Sequence, residues 1–69
     1  MTRVIVNGRP RTLPDGATAA DAAALHGVSA ADRGVAVAVD GAVIPRAEWS
    51  ATELHDGQAV EVVRAAAGG

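Results

Sequence analysis

Residues 35–49 read VAVAVDGAVIPRAEW, and this stretch decides the fold. Valine alternates with alanine over residues 35–39, a period of two that predicts a strand with one buried face. Asp40-Gly41 then predicts a tight hairpin turn, because both residues tolerate a left-handed backbone. Ala42–Ile44 would return as a second strand, which Pro45 ends. The centre of the chain is therefore predicted to be a β-hairpin.

A second hairpin is predicted at the N-terminus. Arg3–Asn7 is rich in β-branched residues, and Asn7-Gly8 is a strong signal for a two-residue turn. The return strand, Arg9–Leu13, contains Pro10. Proline cannot donate a hydrogen bond to a neighbouring strand, so this strand should lie at an edge of the sheet.

A short helix is predicted between the two hairpins. Thr18 and Asp21 have the spacing of a capping box, with Asp in place of the usual Glu. The alanine-rich stretch that follows favours helix, and Gly27 is a good C-terminal stop. Ala22 and Leu25 are three residues apart and are predicted to face the core. The helix is thus expected from Thr18 to Gly27, held by packing rather than by its own stability.

The last strand is predicted at Gln58–Arg64, after an Asp56-Gly57 turn. The order is then strand, strand, helix, strand, short strand, strand. A helical crossover returns the chain in the same direction, so the first and last strands should pair in parallel. The prediction is an α+β fold of the β-grasp type: a mixed sheet of about five strands with one main helix on one face. Residues 1–64 would form this domain, and residues 65–69 a flexible tail.

Strand alternation assigns the side chains of the sheet to two faces. The face towards the helix is predicted to carry Val4, Val6, Val37, Val39, Val60 and Val62. The opposite face would carry Ile5, Ala36, Ala38 and Val63. A group of apolar residues on adjacent strands indicates a surface for partner docking, although scattered exposed apolar residues are also normal. Arg64, just before the tail, either ends the strand in solvent or contacts an acidic patch on a partner.

Composition excludes several classes of function. The chain has 69 residues, a net charge of −2, no Phe or Tyr and one Trp, so it lacks the basic and aromatic surface of nucleic-acid binders. It has no cysteine, which excludes disulfides and thiol nucleophiles. His26 and His55 have no third ligand at useful spacing, so no metal site is expected. Trp49 is interpreted mainly as a core or rim filler, with contact to a partner as the alternative, within a segment that is irregular or a single helical turn.

The sequence contains no apolar run long enough to span a bilayer and no secretory signal, so no membrane contact is expected and the cytoplasm is the default location. No catalytic residues are evident. The chain is expected to be monomeric when free and to bind no cofactor itself.

The sequence ends in Gly68-Gly69. Residues without side chains can thread a narrow channel, and with Ala67 they would deliver the α-carboxylate of Gly69 to a partner's active site. The reference pKa of that group, about 3.5, makes it an anion at neutral pH. It is the group of this chain that is best placed to be modified.

Taken together, these motifs resemble the sulfur-carrier proteins of thiamine biosynthesis, the ThiS family of ubiquitin-like folds. The resemblance covers essentially the whole chain and rests on Asn7-Gly8, Val37–Gly41, Val43–Trp49, Asp56-Gly57 and Gly68-Gly69. The segment Ile44–Trp49 points most sharply to this branch, with Ile44 where the family motif commonly has Val.

The resemblance implies a defined chemistry. An E1-like adenylyltransferase would activate the carboxylate of Gly69 with ATP. Sulfur from a persulfide donor would displace AMP and leave a thiocarboxylate, which thiazole synthase would consume. The chain itself would be a carrier and a substrate rather than an enzyme. Three alternatives remain at this stage: a molybdopterin-type carrier, a ubiquitin-like modifier, and a β-grasp interaction module whose glycines are incidental.

Overall fold

The computed structural model describes residues 1–64, and the predicted tail with Ala67, Gly68 and Gly69 lies outside the described residues. In chain order, the elements are β1 (Thr2–Val6), β2 (Arg9–Leu13), α1 (Ala19–Ala24), β3 (Val35–Val39), β4 (Ala42–Ile44), a 3₁₀ helix (Arg46–Ala51) and β5 (Ala59–Arg64). The predicted order of elements is confirmed. The segment before and after Trp49, predicted as irregular or a single helical turn, is helical.

The five strands form one sheet in the order β2-β1-β5-β3-β4. β1 and β5 pair in parallel, as predicted from the crossover, and the other neighbours are antiparallel. β2, which contains Pro10, lies at the edge, where proline removes no bond between strands. β5 is the central strand, so Arg64, the last described residue, lies in the middle strand of the sheet.

The two hairpin turns have the geometry that their sequences predict. Asn7 and Asp40 are the two non-glycine residues with positive φ among those described, each at 49°, and Gly8 and Gly41 follow them at 80° and 84°. Left-handed conformations at both central positions define the type I′ turn, whose twist matches that of the flanking strands.

The core lies between the sheet and α1. The six inward valines predicted from strand alternation are all buried. Three alanines of α1, Ala19, Ala22 and Ala23, are completely buried and face the sheet. Because alanine has only a methyl group, the backbone of α1 can approach the sheet closely.

The prediction that Leu25 faces the core is wrong. Leu25 is 40% exposed. The residue lies about 110° around the helix from the middle of the alanine face, at 100° per residue. Val28, which is 3% exposed, fills the core after the helix instead.

The regular part of α1 is also shorter than the predicted span from Thr18 to Gly27. Both predicted end signals are nevertheless used. Asp21 accepts a hydrogen bond from the Thr18 N–H at 2.8 Å. Gly27 has a φ of 71°, and the N–H of Val28 donates to the Ala23 carbonyl at 3.1 Å, which is a Schellman ending. Residues 25–27, which the prediction included in the helix, form the turn that ends it.

Candidate functional site

The candidate site consists of the C-terminal end of β5 and the outer face, by which we mean the side of the sheet opposite α1. Along β5, Val60 and Val62 point inwards and are buried, whereas Ala59, Glu61 and Val63 point outwards and are exposed. The strand that leads to the C-terminus therefore also carries part of the outer face.

The residues predicted to bind a partner all lie on this outer face or at its end. Val63 is 55% exposed and Ile5 is 41% exposed. Ala36 is exposed and Ala38 is half-buried. Ala36 lies directly opposite Val63 in the β3–β5 register, so these two form a contiguous apolar pair. Whether they bind a partner stays a prediction.

Glu61 divides the predicted patch. It lies between Ala59 and Val63 along β5, points to the same face and sits opposite Ala38. Ile5 pairs with Ala59 on the far side of this carboxylate. The four predicted residues thus form two apolar areas, one on each side of Glu61, rather than one continuous patch.

Val43 belongs to the outer face and was missed by the sequence analysis. It is 71% exposed and lies opposite Ala38 in the β3–β4 register. The Asp40-Gly41 turn contains the signal that could have found it, because a two-residue turn fixes which residues of a hairpin face each other. Val43 extends the apolar area around Ala36 and Val63 towards the edge of the sheet.

Arg64 is exposed and its guanidinium donates a hydrogen bond to the carbonyl of His26 at 3.4 Å. It forms no ion pair with a carboxylate of residues 1–64. The contact joins the last described residue of β5 to the turn after α1. Both earlier interpretations of Arg64, a solvated strand end and a partner contact, remain compatible with this position.

Asn7, which the sequence analysis used as a turn signal and as part of a family motif, also contacts β5 through its side chain. Its side-chain oxygen Oδ1 accepts a hydrogen bond from the N–H of Val62 at 2.8 Å, and its Nδ2 donates to the Val62 carbonyl at 3.0 Å. The backbone N–H of Asn7 also donates to the Val60 carbonyl at 2.9 Å. A shallow surface depression adjoins this contact and is lined by Asn7, Gly8 and residues 61–64.

The segment that contains Trp49 has a structural role. Trp49 is 1% exposed, and its Nε1 donates to the Ile44 carbonyl at 3.0 Å. The Arg46 guanidinium lies 5.7 Å from the centre of the indole ring and donates to the Ala30 carbonyl at 2.8 Å. The indole thus closes the core, and Arg46 covers it while holding the loop after α1.

Metal-ligating and titratable side chains of residues 1–64 add two observations. No group of three or more His, Asp or Glu side chains within residues 1–64 could hold a metal ion. The neighbouring Met1 ammonium lowers the pKa of the exposed Asp15 carboxyl. None of the helices in this part of the chain is long and apolar enough to cross a membrane.

Residues 1–64 form a mixed five-stranded sheet with the α-helix α1 against one face, and this arrangement defines the class as a ubiquitin-like β-grasp protein. A sequence profile of the ThiS family matches residues 4–69. The crystal structure of a thiamine biosynthesis protein (ThiS) from Geobacter metallireducens superposes with a TM-score of 0.71. It is 34% identical and the match covers 99% of this chain and 100% of that one. A search of curated proteins found no match. The chain belongs to the ThiS family.

Proposed function

We propose that this protein is a sulfur carrier of thiamine biosynthesis and that the carboxylate of Gly69 is the group that carries the sulfur. The observation that supports the proposal most strongly is the ThiS family match, which continues to Gly69 and so includes the terminal glycine pair.

The absence of cysteine restricts how such a carrier can work. Sulfur cannot be held as a persulfide on the chain, because there is no thiol to form one. A carboxylate is a poor acyl donor because its oxygen leaves poorly, so it must first be activated. An E1-like enzyme would let the Gly69 carboxylate attack the α-phosphorus of ATP, releasing pyrophosphate and giving an acyl adenylate.

Sulfur would enter in the second step. A persulfide sulfur attacks the carbonyl carbon of the acyl adenylate and AMP leaves. A thiol then reduces the resulting acyl disulfide, which releases the donor as a mixed disulfide and leaves a thiocarboxylate on Gly69. Thiazole synthase is the proposed acceptor. The partners supply the nucleotide site and the oxyanion stabilisation, and this chain supplies the acyl group.

The outer face is proposed to dock the adenylating enzyme. Residues 65–69 follow Arg64 and would span about 17 Å when fully extended. Small residues contribute little binding area, and ordering them costs free energy, so the domain must provide much of the affinity. The exposed apolar area around Ala36, Val43 and Val63 is suited to this task because it lies beside the strand that leads to Gly69.

Intact-mass measurement tests the proposal. The chain is incubated with an E1-like adenylating enzyme, ATP and a persulfide donor, and the expected product has one oxygen of the C-terminus replaced by sulfur. A chain lacking Gly68-Gly69 is the matched control and should stay unchanged. A full-length chain that gains neither AMP nor sulfur would contradict the proposal and leave an interaction module.

The acceptor is then identified by reconstitution. Thiazole formation from the thiocarboxylate by thiazole synthase supports the thiamine assignment. Sulfur transfer to molybdopterin synthase, with none to thiazole synthase, would contradict it. Conjugates with lysine side chains of other proteins would indicate a modifier. All six basic residues of this chain are arginine, so such conjugates cannot arise on lysines of the carrier itself.

A further inference from the structure

The C-terminal half of β5 loses its backbone partner on one side. Among the described residues, β1 pairs with β5 at Ile5↔Ala59 and Val6↔Val60. At Asn7 the backbone turns away into β2, with φ values of 49° and 80° at Asn7 and Gly8. Val62 lies beyond the last paired residue, and its N–H and C=O point towards the side that β1 has left.

The carboxamide of Asn7 takes the place of the missing strand. A carboxamide offers one carbonyl acceptor and N–H donors, the same groups as a peptide unit. It uses both towards Val62, at 2.8 Å and 3.0 Å, while the backbone of Asn7 bonds to Val60. The parallel pairing is therefore extended by two residues along β5 without any further residue of β1.

The end of β5 is thus held from both sides. On the other side, Ala36 pairs with Val63 and Val35 with Arg64. The guanidinium of Arg64 adds a contact to the turn after α1. Arg64 is followed by the five residues that end in Gly69. The restraints on residues 62–64 fix the direction of β5 at its last described residue.

We infer that Asn7 is a positioning residue for the reaction at Gly69, an inference that rests on the proposed function. A change of about 10° in direction at Arg64 displaces the end of an extended five-residue segment by about 3 Å. Misplacement of a reacting group by about 1 Å can cost on the order of a hundredfold in rate. If residues 62–64 are held less firmly, the Gly69 carboxylate therefore meets the nucleotide in a smaller fraction of the docked complexes.

The test compares two glycine substitutions at equivalent turns. Asn7→Gly removes the carboxamide but tolerates the positive φ. Asp40→Gly is the matched control. Asp40 has the same φ of 49° in the other hairpin turn, and its carboxylate accepts the N–H of Ala59 at 2.9 Å, at the opposite end of β5. Both variants lose side-chain bonds to β5, but only the first frees the strand next to the C-terminal segment.

Two readouts follow these variants. Hydrogen exchange of the Val62 amide should become about tenfold faster in Asn7→Gly and stay unchanged in Asp40→Gly, where the Ala59 amide responds instead. In steady-state adenylation by the E1-like enzyme, Asn7→Gly should lower kcat about three- to tenfold. KM should stay within about twofold, because the docking surface is intact.

Equal kcat values for Asn7→Gly and Asp40→Gly, with both variants folded, would overturn the inference. A wild-type chain that is not adenylated at all would overturn the proposed function, and this inference with it. Should Asn7→Gly fail to fold, Asn7→Asp serves as the second variant. It keeps an acceptor for the Val62 N–H but sets a carboxylate against the Val62 carbonyl, so kcat should fall again, and an unchanged kcat would contradict the role of Asn7.

Discussion

Replacing Val63 by lysine should weaken docking to the adenylating enzyme without unfolding the domain. Val63 lies in the outward row of β5, beside Ala36 and one position along the face from Glu61. Lysine is preferred to an acidic residue here because an ammonium next to Glu61 adds no like-charge repulsion. The side chain points to solvent in the free protein, so the substitution removes no core contact.

The magnitude follows from the exposed fraction of the side chain. Complete burial of a valine stabilises by about 1.5–3 kcal/mol. In the free protein 55% of Val63 is still exposed. Covering that part with a partner would contribute about 0.8–1.6 kcal/mol, which corresponds to about a four- to fifteenfold change in Kd. Desolvation of the introduced ammonium adds to this loss, so the estimate is a lower bound.

Isothermal titration of the adenylating enzyme with each variant measures the effect. Leu25→Lys is the matched control, since Leu25 is a comparably exposed apolar residue that lies after α1, away from the outer face. Its Kd should stay within about twofold of the wild type. Ile5→Lys shows whether the apolar area on the other side of Glu61 also contributes. Circular dichroism confirms that each variant is folded.

An unchanged Kd for folded Val63→Lys would refute the reasoning. The partner would then bind elsewhere on the domain, and the exposed apolar residues of β3 and β5 would be ordinary surface. A loss shared equally by Leu25→Lys would also contradict it, because the effect would then report net charge rather than burial on the outer face.

The remaining predictions concern the reacting group, the core and the response to acid. Gly69→Ala places a Cβ beside the carbonyl carbon and should abolish adenylation while the thermal unfolding curve stays unchanged. Trp49→Ala should lower the free energy of unfolding by about 3–5 kcal/mol, measured by urea denaturation with far-UV circular dichroism, since a fully buried indole is lost and the Ile44 carbonyl loses its donor. Asp15→Asn should be less stable than the wild type at pH 6. Because the Met1 ammonium lowers the pKa of Asp15 in the folded state, its contribution is present above the ordinary value of 3.8 and is lost as the pH falls through the lowered value, so the two denaturation curves should converge in strong acid.

Local signals in the sequence were sufficient for the elements and their order. The positive φ values at Asn7 and Asp40, the edge position of Pro10 and the helix ending at Gly27 all follow from the steric properties of single residues. Strand alternation gave the six buried valines because neighbouring side chains of a strand point to opposite faces. These properties act within one turn or one strand, so one sequence is enough to read them.

The candidate site was predicted less completely. Val63 and Ile5 were correctly placed on the exposed face, since their positions depend only on alternation. The division of that face by Glu61 was not foreseen, because it requires the register between β3 and β5. Leu25 was placed wrongly for a related reason: the side of a short helix that faces the sheet is chosen by packing, and three alanines allowed a closer approach than leucine.

By itself the sequence determined a β-grasp domain that leads to two terminal glycines. Tertiary structure alone decided how that end of the domain is held. Asn7 and Val62 are 55 residues apart, and their hydrogen bonds exist only once β1 and β5 lie side by side. Local propensities fix which conformation each segment prefers. The partner of a polar side chain depends instead on how distant segments pair, and this is set by the assembled sheet as a whole.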